Sequence, residues 1–225
     1  MFTGFTKQAG DFMWELAFNN ERPWFMEHKA QFEELVNTPM KALAAETAEL
    51  MRARCPEREL TMHVSRIYRD ARRLFGRGPY KDHLWFMIYD ETVKNAGPVF
   101  FFEFGKGEYG YGMGFYDATS AQMEAFRKMV DANPARFERL AESIEGSEFT
   151  VHGEEYKRKK AERGGVIGKW YNRKRIYVSF YRDFDGTGLE EDLPQRLCDA
   201  FMRLMPMYDF FTEFYNAAPP AERKR

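Results

Sequence analysis

The apolar residues of this chain change their spacing twice, and this change constrains the fold more than any other feature of the sequence. From the N-terminus to Pro56 they recur every three or four residues, which is typical of amphipathic helices. From there to Thr119 they alternate with other residues at a period of two, which is typical of strands, and the helical spacing then returns. Strands grouped between helical ends predict an α+β fold, with a mainly antiparallel central sheet on which the N-terminal and C-terminal helices pack.

Capping and turn residues set the bounds of the predicted helices. The first is predicted over Lys7–Phe18, and the second begins after a cap at Asn20 with Pro23 in its first turn, where amide hydrogens lack partners. A third is predicted to begin at Thr38-Pro39. The later helices are predicted from the capping box of Thr119 and Gln122, from Asn133-Pro134 to Gly146, and from Pro194 to Phe214, with a kink or an interruption at Pro206.

Five segments have the alternation of strands. They are residues 65–70, 84–89, 99–104, 109–115 and 175–181. The short turn at residues 105–107 predicts that the third and fourth segments form an antiparallel hairpin. Glycines line one face of the fourth segment. Because glycine weakens a strand, we expect another backbone or a ligand to approach that face closely.

The charges of the chain nearly cancel, with 34 Lys and Arg against 35 Asp and Glu, which argues against a chain that binds nucleic acid as a whole. Two stretches are nevertheless basic. Residues 63–81 hold six cations against one acid, and residues 157–175 hold nine against one. Either the two stretches form one positive surface that holds an anion, or they are solvated faces that pair with the acidic helices.

The most informative segment runs from Arg66 to Lys81. Arg66 and Arg69 point to opposite faces of a straight strand, so that the inward one needs an acidic partner. Guanidinium groups suit carboxylate and phosphate ligands, and the glycine-containing turn at residues 76–79 exposes backbone amides to an oxyanion. The predicted ligand-binding residues are Arg66, Arg69, Arg72, Tyr80 and Lys81. Asp70 is predicted to orient the arginines; the alternative is a purely structural ion-pair network around Asp70.

Two motifs make the chain recognisable. The first, N-N-x-x-W-F-x-x-H-K, is matched by Asn19, Asn20, Trp24, Phe25, His28 and Lys29. The second, R-I-x-R-D-x-R-F-S-x-D-K-x-P-Y-K, is matched by Arg66, Ile67, Arg69, Asp70, Arg72, Pro79, Tyr80 and Lys81, and the chain departs from it at residues 73–76. Together they resemble the bacterial domain-of-unknown-function family 2461. The resemblance spans most of the chain, to about Phe214, and it supports the fold and the choice of residues but implies no activity, substrate or cofactor.

Two residues are predicted to be catalytic. His28 shares a predicted helix face with Phe25 and Phe32, where a histidine is more often part of the core. Because His28 belongs to the first motif, and because histidine transfers protons near neutral pH, we predict it as an acid or base together with Asp70. The histidines and cysteines show no metal-binding spacing, so no metal and no cofactor is predicted.

The chain is predicted to be cytoplasmic, without a membrane contact. Its two cysteines, Cys55 and Cys198, lie far apart and are expected to be reduced thiols. We find no secretory signal and no apolar run that spans a bilayer. Because no linker interrupts the chain, residues 1–216 are predicted to form a single α+β domain, followed by a frayed or disordered tail at residues 217–225.

Three functions follow as hypotheses. The first is the binding of a small anionic ligand at the predicted anion site, by a binding protein or by an enzyme. The second is nucleic-acid binding, in which both basic stretches contact phosphates and Tyr or Phe rings stack on bases. The third is a protein-interaction module whose aromatic residues bury a partner or a second copy of the chain.

Overall fold

An antiparallel sheet, with helices before and after it along the chain, makes up the fold. The computed structural model describes residues 1–74, 76–93 and 97–218, without the side chain of Arg73. The strands of this part of the chain are β1 (Leu60–Val64), β2 (His83–Asp90), β3 (Val99–Gly105), β4 (Glu108–Phe115), β5 (Thr150–His152) and β6 (Ile176–Asp183). They lie in the order β1-β2-β3-β4-β6-β5. The predicted α+β class with a mainly antiparallel sheet is confirmed.

Except for α6, the helices begin near the residues predicted from the sequence. They are α1 (Lys7–Phe18), α2 (Arg22–Phe32), α3 (Thr38–Arg54), α4 (Ser120–Ala132), α5 (Pro134–Glu145), α6 (Gly165–Tyr171) and α7 (Leu193–Ala217). The capping box of α4 is present, since the Thr119 hydroxyl accepts the Gln122 N–H and the Gln122 side chain accepts the Thr119 N–H. Helix α7 continues through Pro206. Of the two effects predicted for this proline, a kink or an interruption, the interruption is absent. Among the described residues, no helix is long and apolar enough to cross a membrane.

The described residues divide into two compact units. The first comprises residues 1–88, 101–111 and 181–199, and the second comprises residues 89–100 and 112–180 and the chain from residue 200 onward. The two predicted basic stretches fall in different units, because residues 63–81 belong to the first and residues 157–175 to the second. The single domain over residues 1–216 stays a prediction. Most of the predicted tail, residues 219–225, lies outside the described residues.

The first unit is built on the apolar face of α1. The buried residues of this helix at helical spacing are Ala9, Phe12, Met13 and Leu16. Just before the helix, Phe5 stacks on Phe104 of β3 with ring centroids 4.5 Å apart. The ring contact fixes the start of the chain to the sheet.

The core of the second unit is a chain of aromatic contacts. Phe126 of α4 meets Phe137 of α5 edge to face at 5.3 Å between ring centroids, and Phe137 meets Trp170 of α6 in the same way at 5.5 Å. Such contacts add to the burial of large rings. They hold α6, which carries part of the second basic stretch, against α5.

Three elements differ from the prediction. The strand predicted over residues 65–70 is wrong: β1 ends at Val64, and beyond it only Tyr68 makes a bridge, to Tyr80. Strand β5 and helix α6 lie outside the predicted elements, because three residues carry no period and α6 spans only seven residues beside a basic, glycine-containing stretch. Helix α3 begins at Thr38 as predicted, and a π-helical turn over Glu33–Asn37 joins it to α2.

The glycine face of β4 is covered by a neighbouring strand. A Cβ atom at Gly112 would collide with the carbonyl oxygen of Val178 and the Cα atom of Ser179, and one at Gly114 would collide with Tyr177. All three neighbours belong to β6. Another backbone or a ligand was expected to approach this face, and the structure shows the backbone of β6.

Substituting Gly112 by alanine will therefore destabilise the fold. The Cβ would meet the backbone of β6, which cannot turn aside as a side chain can, so we expect Gly112→Ala to lower the free energy of unfolding by about 1–3 kcal/mol. Gly164→Ala is the matched control, because nothing lies within 4 Å of a Cβ at that position. Urea unfolding of both variants measures the difference. Equal stability of the two variants would contradict the packing described for β4.

Candidate functional site

The segment from Arg66 to Lys81, which is predicted to bind an anion, folds so that its two ends pair with each other. The Arg69 N–H donates to the Pro79 carbonyl at 2.8 Å, and the Lys81 N–H donates to the Ile67 carbonyl at 2.8 Å. Between these bonds, Tyr68 and Tyr80 form an antiparallel bridge. Residues 67–69 and 79–81 are therefore held side by side, although neither is part of a longer strand.

Asn20 fixes this pair of ends from outside. Its side-chain oxygen accepts the Tyr80 N–H and its side-chain nitrogen donates to the Tyr80 carbonyl, both at 2.9 Å. A Cβ at Gly78 would collide with the Asn20 side chain, so that only glycine leaves room for it. The predicted cap at Asn20 is wrong for this reason: its amide is used by Tyr80, and Glu21 stands at the N-cap of α2. The two sequence motifs thus meet in space.

The ring of Tyr80 lies in the core of the first unit. Tyr80 is only 1% exposed, and its ring stacks on that of Phe25 with ring centroids 4.1 Å apart. Burial, helped by the nearby Tyr68 hydroxyl, raises the pKa of Tyr80. The phenol therefore stays neutral, and its burial favours a structural role over the predicted contact with a ligand.

Arg66 and Arg69 differ in exposure, although they do not lie on the straight strand that was predicted for residues 65–70. Arg66 is exposed. The Arg69 side chain is 14% exposed; its Nε donates to the Tyr80 carbonyl at 2.7 Å and its Nη2 lies 3.3 Å from the Asp82 carboxylate. Burial acts to raise the pKa of Asp82, but the hydrogen bond of His83 and the charges of His83 and Arg69 outweigh it and lower the pKa. The acidic partner that the sequence analysis required is thus Asp82.

Lys81 brings a third cation to this pair. Its Nζ donates to the Arg66 carbonyl at 2.6 Å and lies 5.5 Å from the ring centroid of Trp85. Burial, together with the charges of Arg66 and Arg69, lowers the pKa of Lys81. Three cations therefore act on one another here, and Asp82 pairs with one of them. We call Arg66, Arg69 and Lys81 the cation cluster.

Arg72 is held by its own neighbour in sequence. Asp70 caps the short 3-10 turn over Ala71–Arg73, accepting the Arg72 N–H at 3.0 Å, and it also binds the Arg72 guanidinium through both oxygens at 3.0 and 2.8 Å. The Arg72 side chain is 88% exposed. The structure thus joins Asp70 to Arg72, and it does not place Arg72 among the charges that act on Lys81.

The predicted acid or base His28 is engaged within α2. Its Nδ1 lies 2.8 Å from the Trp24 carbonyl, and its ring stacks on the Trp24 ring with centroids 4.2 Å apart. Because a carbonyl oxygen only accepts, Nδ1 carries a proton there and Nε2 is the nitrogen left to accept one in the neutral ring. Within residues 1–74, 76–93 and 97–218, no hydrogen bond or ion pair joins His28 to the cation cluster.

Three residues of this site were not among those predicted from the sequence. They are Asn20, which holds the Tyr80 backbone, Asp82, which pairs with Arg69, and Trp85, whose ring lies beside Lys81. Asp82 follows Lys81 directly, so that a search for acids next to the basic segment would have found it. The role of Asn20 has no local signal, because its partner lies 60 residues away.

The second basic stretch is largely paired with acids. Lys169 binds Glu145 of α5 at 2.7 Å, and Arg163 binds Asp131 of α4. Further ion pairs join Lys159 to Glu162, Arg173 to Glu155 and Lys174 to Glu154. This stretch was interpreted either as part of a positive surface or as a face paired with acids. The second interpretation describes five of its cations. The described residues contain no group of three or more His, Cys, Asp or Glu that could hold a metal ion.

Comparison with known proteins agrees with the motifs. The model of a family described as "Conserved hypothetical protein (DUF2461)" matches residues 8–210. That range includes both motifs, the cation cluster and the second basic stretch. No curated protein matches the sequence.

Removing the amide of Asn20 will loosen the site. Asn20→Ala leaves the N–H and the carbonyl of Tyr80 without this partner in a partly buried place, so we expect a loss of about 1–3 kcal/mol in the free energy of unfolding. Asn19→Ala is the matched control, because the Asn19 side chain makes one exposed bond to the Glu15 carbonyl. Thermal and urea unfolding compare the two. A loss no larger for Asn20→Ala than for Asn19→Ala would show that the clamp is not required.

Proposed function

We propose that this chain, which belongs to the DUF2461 family of conserved hypothetical proteins, binds a small anionic ligand through Arg66, Arg69 and Lys81. The family description names no activity, so the proposal rests on the geometry of the cation cluster. The ligand carries a phosphate or a carboxylate group, since these are the anions that guanidinium and ammonium groups bind best.

The crowding of positive charge at Lys81 is the observation that carries the proposal. Partial burial, and after it the charges of Arg66 and Arg69, disfavours the ammonium form of Lys81 and lowers its pKa. Asp82 offsets the charge of Arg69 at 3.3 Å. A bound anion would offset the two remaining charges, which is why a cluster of this kind supports anion binding.

The cluster has donors left for a ligand. Lys81 has three N–H donors and gives one to the Arg66 carbonyl. Arg69 has five and uses those on Nε and Nη2 in the bonds to Tyr80 and Asp82. Arg66 is exposed to solvent, so that a small anion can reach it. Arg66 and Lys81 therefore serve as the entry contacts, and Arg69 as the braced cation behind them.

The proposal concerns binding and includes no reaction. His28 and Asp70 stay predicted catalytic residues, and their described contacts are with Trp24 and Arg72 respectively. Arg72 and Tyr80 stay predicted ligand contacts outside the proposed cluster. A cytoplasmic location is also part of the proposal, since two cysteines far apart in the sequence are typical of reduced thiols.

Nucleic-acid binding stays a prediction and is not favoured. It needs the free charge of both basic stretches, and five cations of the second stretch have acidic partners. A salt series would reveal it, since phosphate contacts release counterions and weaken as salt rises.

Removing the charge of Arg66 will weaken anion binding without unfolding the protein. With sulfate as the probe, we expect Arg66→Gln to reduce affinity about tenfold, the value of one charge-assisted bond. Arg182→Gln is the matched control, because Arg182 is an exposed arginine of the same unit that lies outside the predicted ligand-binding residues. The affinity is read from the indole N–H signal of Trp85, which lies beside Lys81. Equal losses in both variants would indicate general charge attraction, and a signal that never saturates would overturn the proposal.

The affinity for sulfate will also depend on the ionisation of Lys81. Because the pKa of Lys81 is lowered, its ammonium is lost at a lower pH than that of an ordinary lysine, and affinity will fall as the pH rises through that pKa. Bound sulfate favours the ammonium form and will raise the pKa. Lys81→Arg keeps the charge but does not titrate, so its affinity will stay constant over the same range. Parallel curves for the two proteins would exclude Lys81 from the site.

A further inference from the structure

The second unit contains a cleft of about 440 Å³ that the anion hypothesis does not use. Its apolar lining comes from α5, the chain that follows it, β5 and α6: Ile144, Phe149, Val151 and Trp170. A volume of this size accommodates one small molecule, and the four apolar residues share the lining with Thr150 and four charged residues. The cleft lies wholly within one unit, since all of its lining residues belong to residues 112–180.

Two ion pairs lie in the lining, and they differ in how closely they are formed. The Lys169 ammonium lies 2.7 Å from both oxygens of Glu145, so that this pair is fully hydrogen-bonded. The Arg173 guanidinium and the Glu155 carboxylate are 3.8 Å apart, which is beyond hydrogen-bond distance. The lining is neutral in sum, and one of its two pairs is open.

The cation of the open pair is held by backbone carbonyls. Arg173 donates from Nε to the Lys169 carbonyl and from Nη1 to the Gly153 carbonyl, both at 2.6 Å, which leaves Nη2 facing Glu155. Glu155 and Arg173 are also partners in an antiparallel bridge, so that their backbones lie side by side. The guanidinium is therefore fixed in direction, and the exposed Glu155 carboxylate lies beside it with the two charges only partly satisfied by each other.

A third polar group in the lining has no partner. The indole N–H of Trp170 is buried and makes no hydrogen bond among the described residues. A buried N–H without a partner is unfavourable, and its NMR signal reports on the cleft that Trp170 lines.

We propose that this cleft binds an α-amino acid with an apolar side chain. The ligand carboxylate accepts from Arg173 Nη2 and the ligand ammonium donates to Glu155, so that one open ion pair becomes two closed ones. The side chain lies against Phe149, Val151 and Trp170. A zwitterion is neutral in sum and so matches the neutral lining, whereas a plain anion would meet Glu145 and Glu155, and a plain cation would meet Lys169 and Arg173.

The experiment compares three probes that share a phenyl ring. L-Phenylalanine carries both charges, 3-phenylpropionate carries only the carboxylate, and phenethylamine carries only the ammonium. We expect a saturable shift of the Trp170 indole N–H signal with L-phenylalanine, and affinities about tenfold lower for each of the other two. The chain has four tryptophans, and Trp170→Phe assigns the signal. No saturable shift with any probe, or equal affinity for all three, would overturn the proposal.

A substitution at Glu155 separates recognition of the two charges. Glu155→Gln removes the acceptor for the ligand ammonium and releases Arg173 from a competing carboxylate. We expect it to weaken L-phenylalanine about tenfold and to strengthen the binding of 3-phenylpropionate. Glu162→Gln is the matched control, since Glu162 is an exposed acid of the same unit that pairs with Lys159 outside the cleft. If the affinities for L-phenylalanine and 3-phenylpropionate change in the same direction, the assigned roles are contradicted. Sulfate binding to the cation cluster is measured separately and is independent of this result.

Discussion

The side-chain amide of Asn20 makes the two hydrogen bonds to the Tyr80 backbone that a neighbouring strand would make. The geometry of the candidate site depends on this contact. A backbone N–H and carbonyl that leave a sheet must find other partners, and one carboxamide supplies both an acceptor and a donor. With the Tyr80 backbone fixed, its ring stacks on Phe25 and its carbonyl also accepts from Arg69. The position of the partly buried Arg69 guanidinium therefore depends on an uncharged side chain in another part of the sequence.

Both candidate sites use an arginine that is braced by backbone carbonyls. Arg69 is held by the Tyr80 carbonyl, and Arg173 by the carbonyls of Lys169 and Gly153. A guanidinium has five donors in a rigid plane, so that bonds on one edge fix the direction of the other. The ordering cost of the long side chain is then met on folding and not on binding. In each case a nearby carboxylate, Asp82 or Glu155, balances part of the charge and limits what the site can accept.

The two basic stretches look alike in sequence and differ in the structure. The second stretch is flanked by helices that carry acids at matching positions, so that Lys169 meets Glu145 and Arg163 meets Asp131. The first stretch folds back on itself, so that Lys81 comes to lie beside other cations. Exposed ion pairs contribute little to stability, whereas crowded like charges are unfavourable without a counterion. For this reason the first stretch is the better candidate for an anion site, although the second contains more cations.

The sequence alone determined those features that depend on neighbours a few residues apart. The bounds of α1, the capping box at Thr119 and the hairpin of β3 and β4 follow from local periods and turns. Only the tertiary structure decided which partner each polar group takes. Asn20 had a helix end within reach and bonded to Tyr80 instead, and β6, not a ligand, covers the glycines of β4. Competing partners offer hydrogen bonds of similar strength, so that the packing of segments far apart in sequence, which no local pattern records, determines which of them are close enough to form.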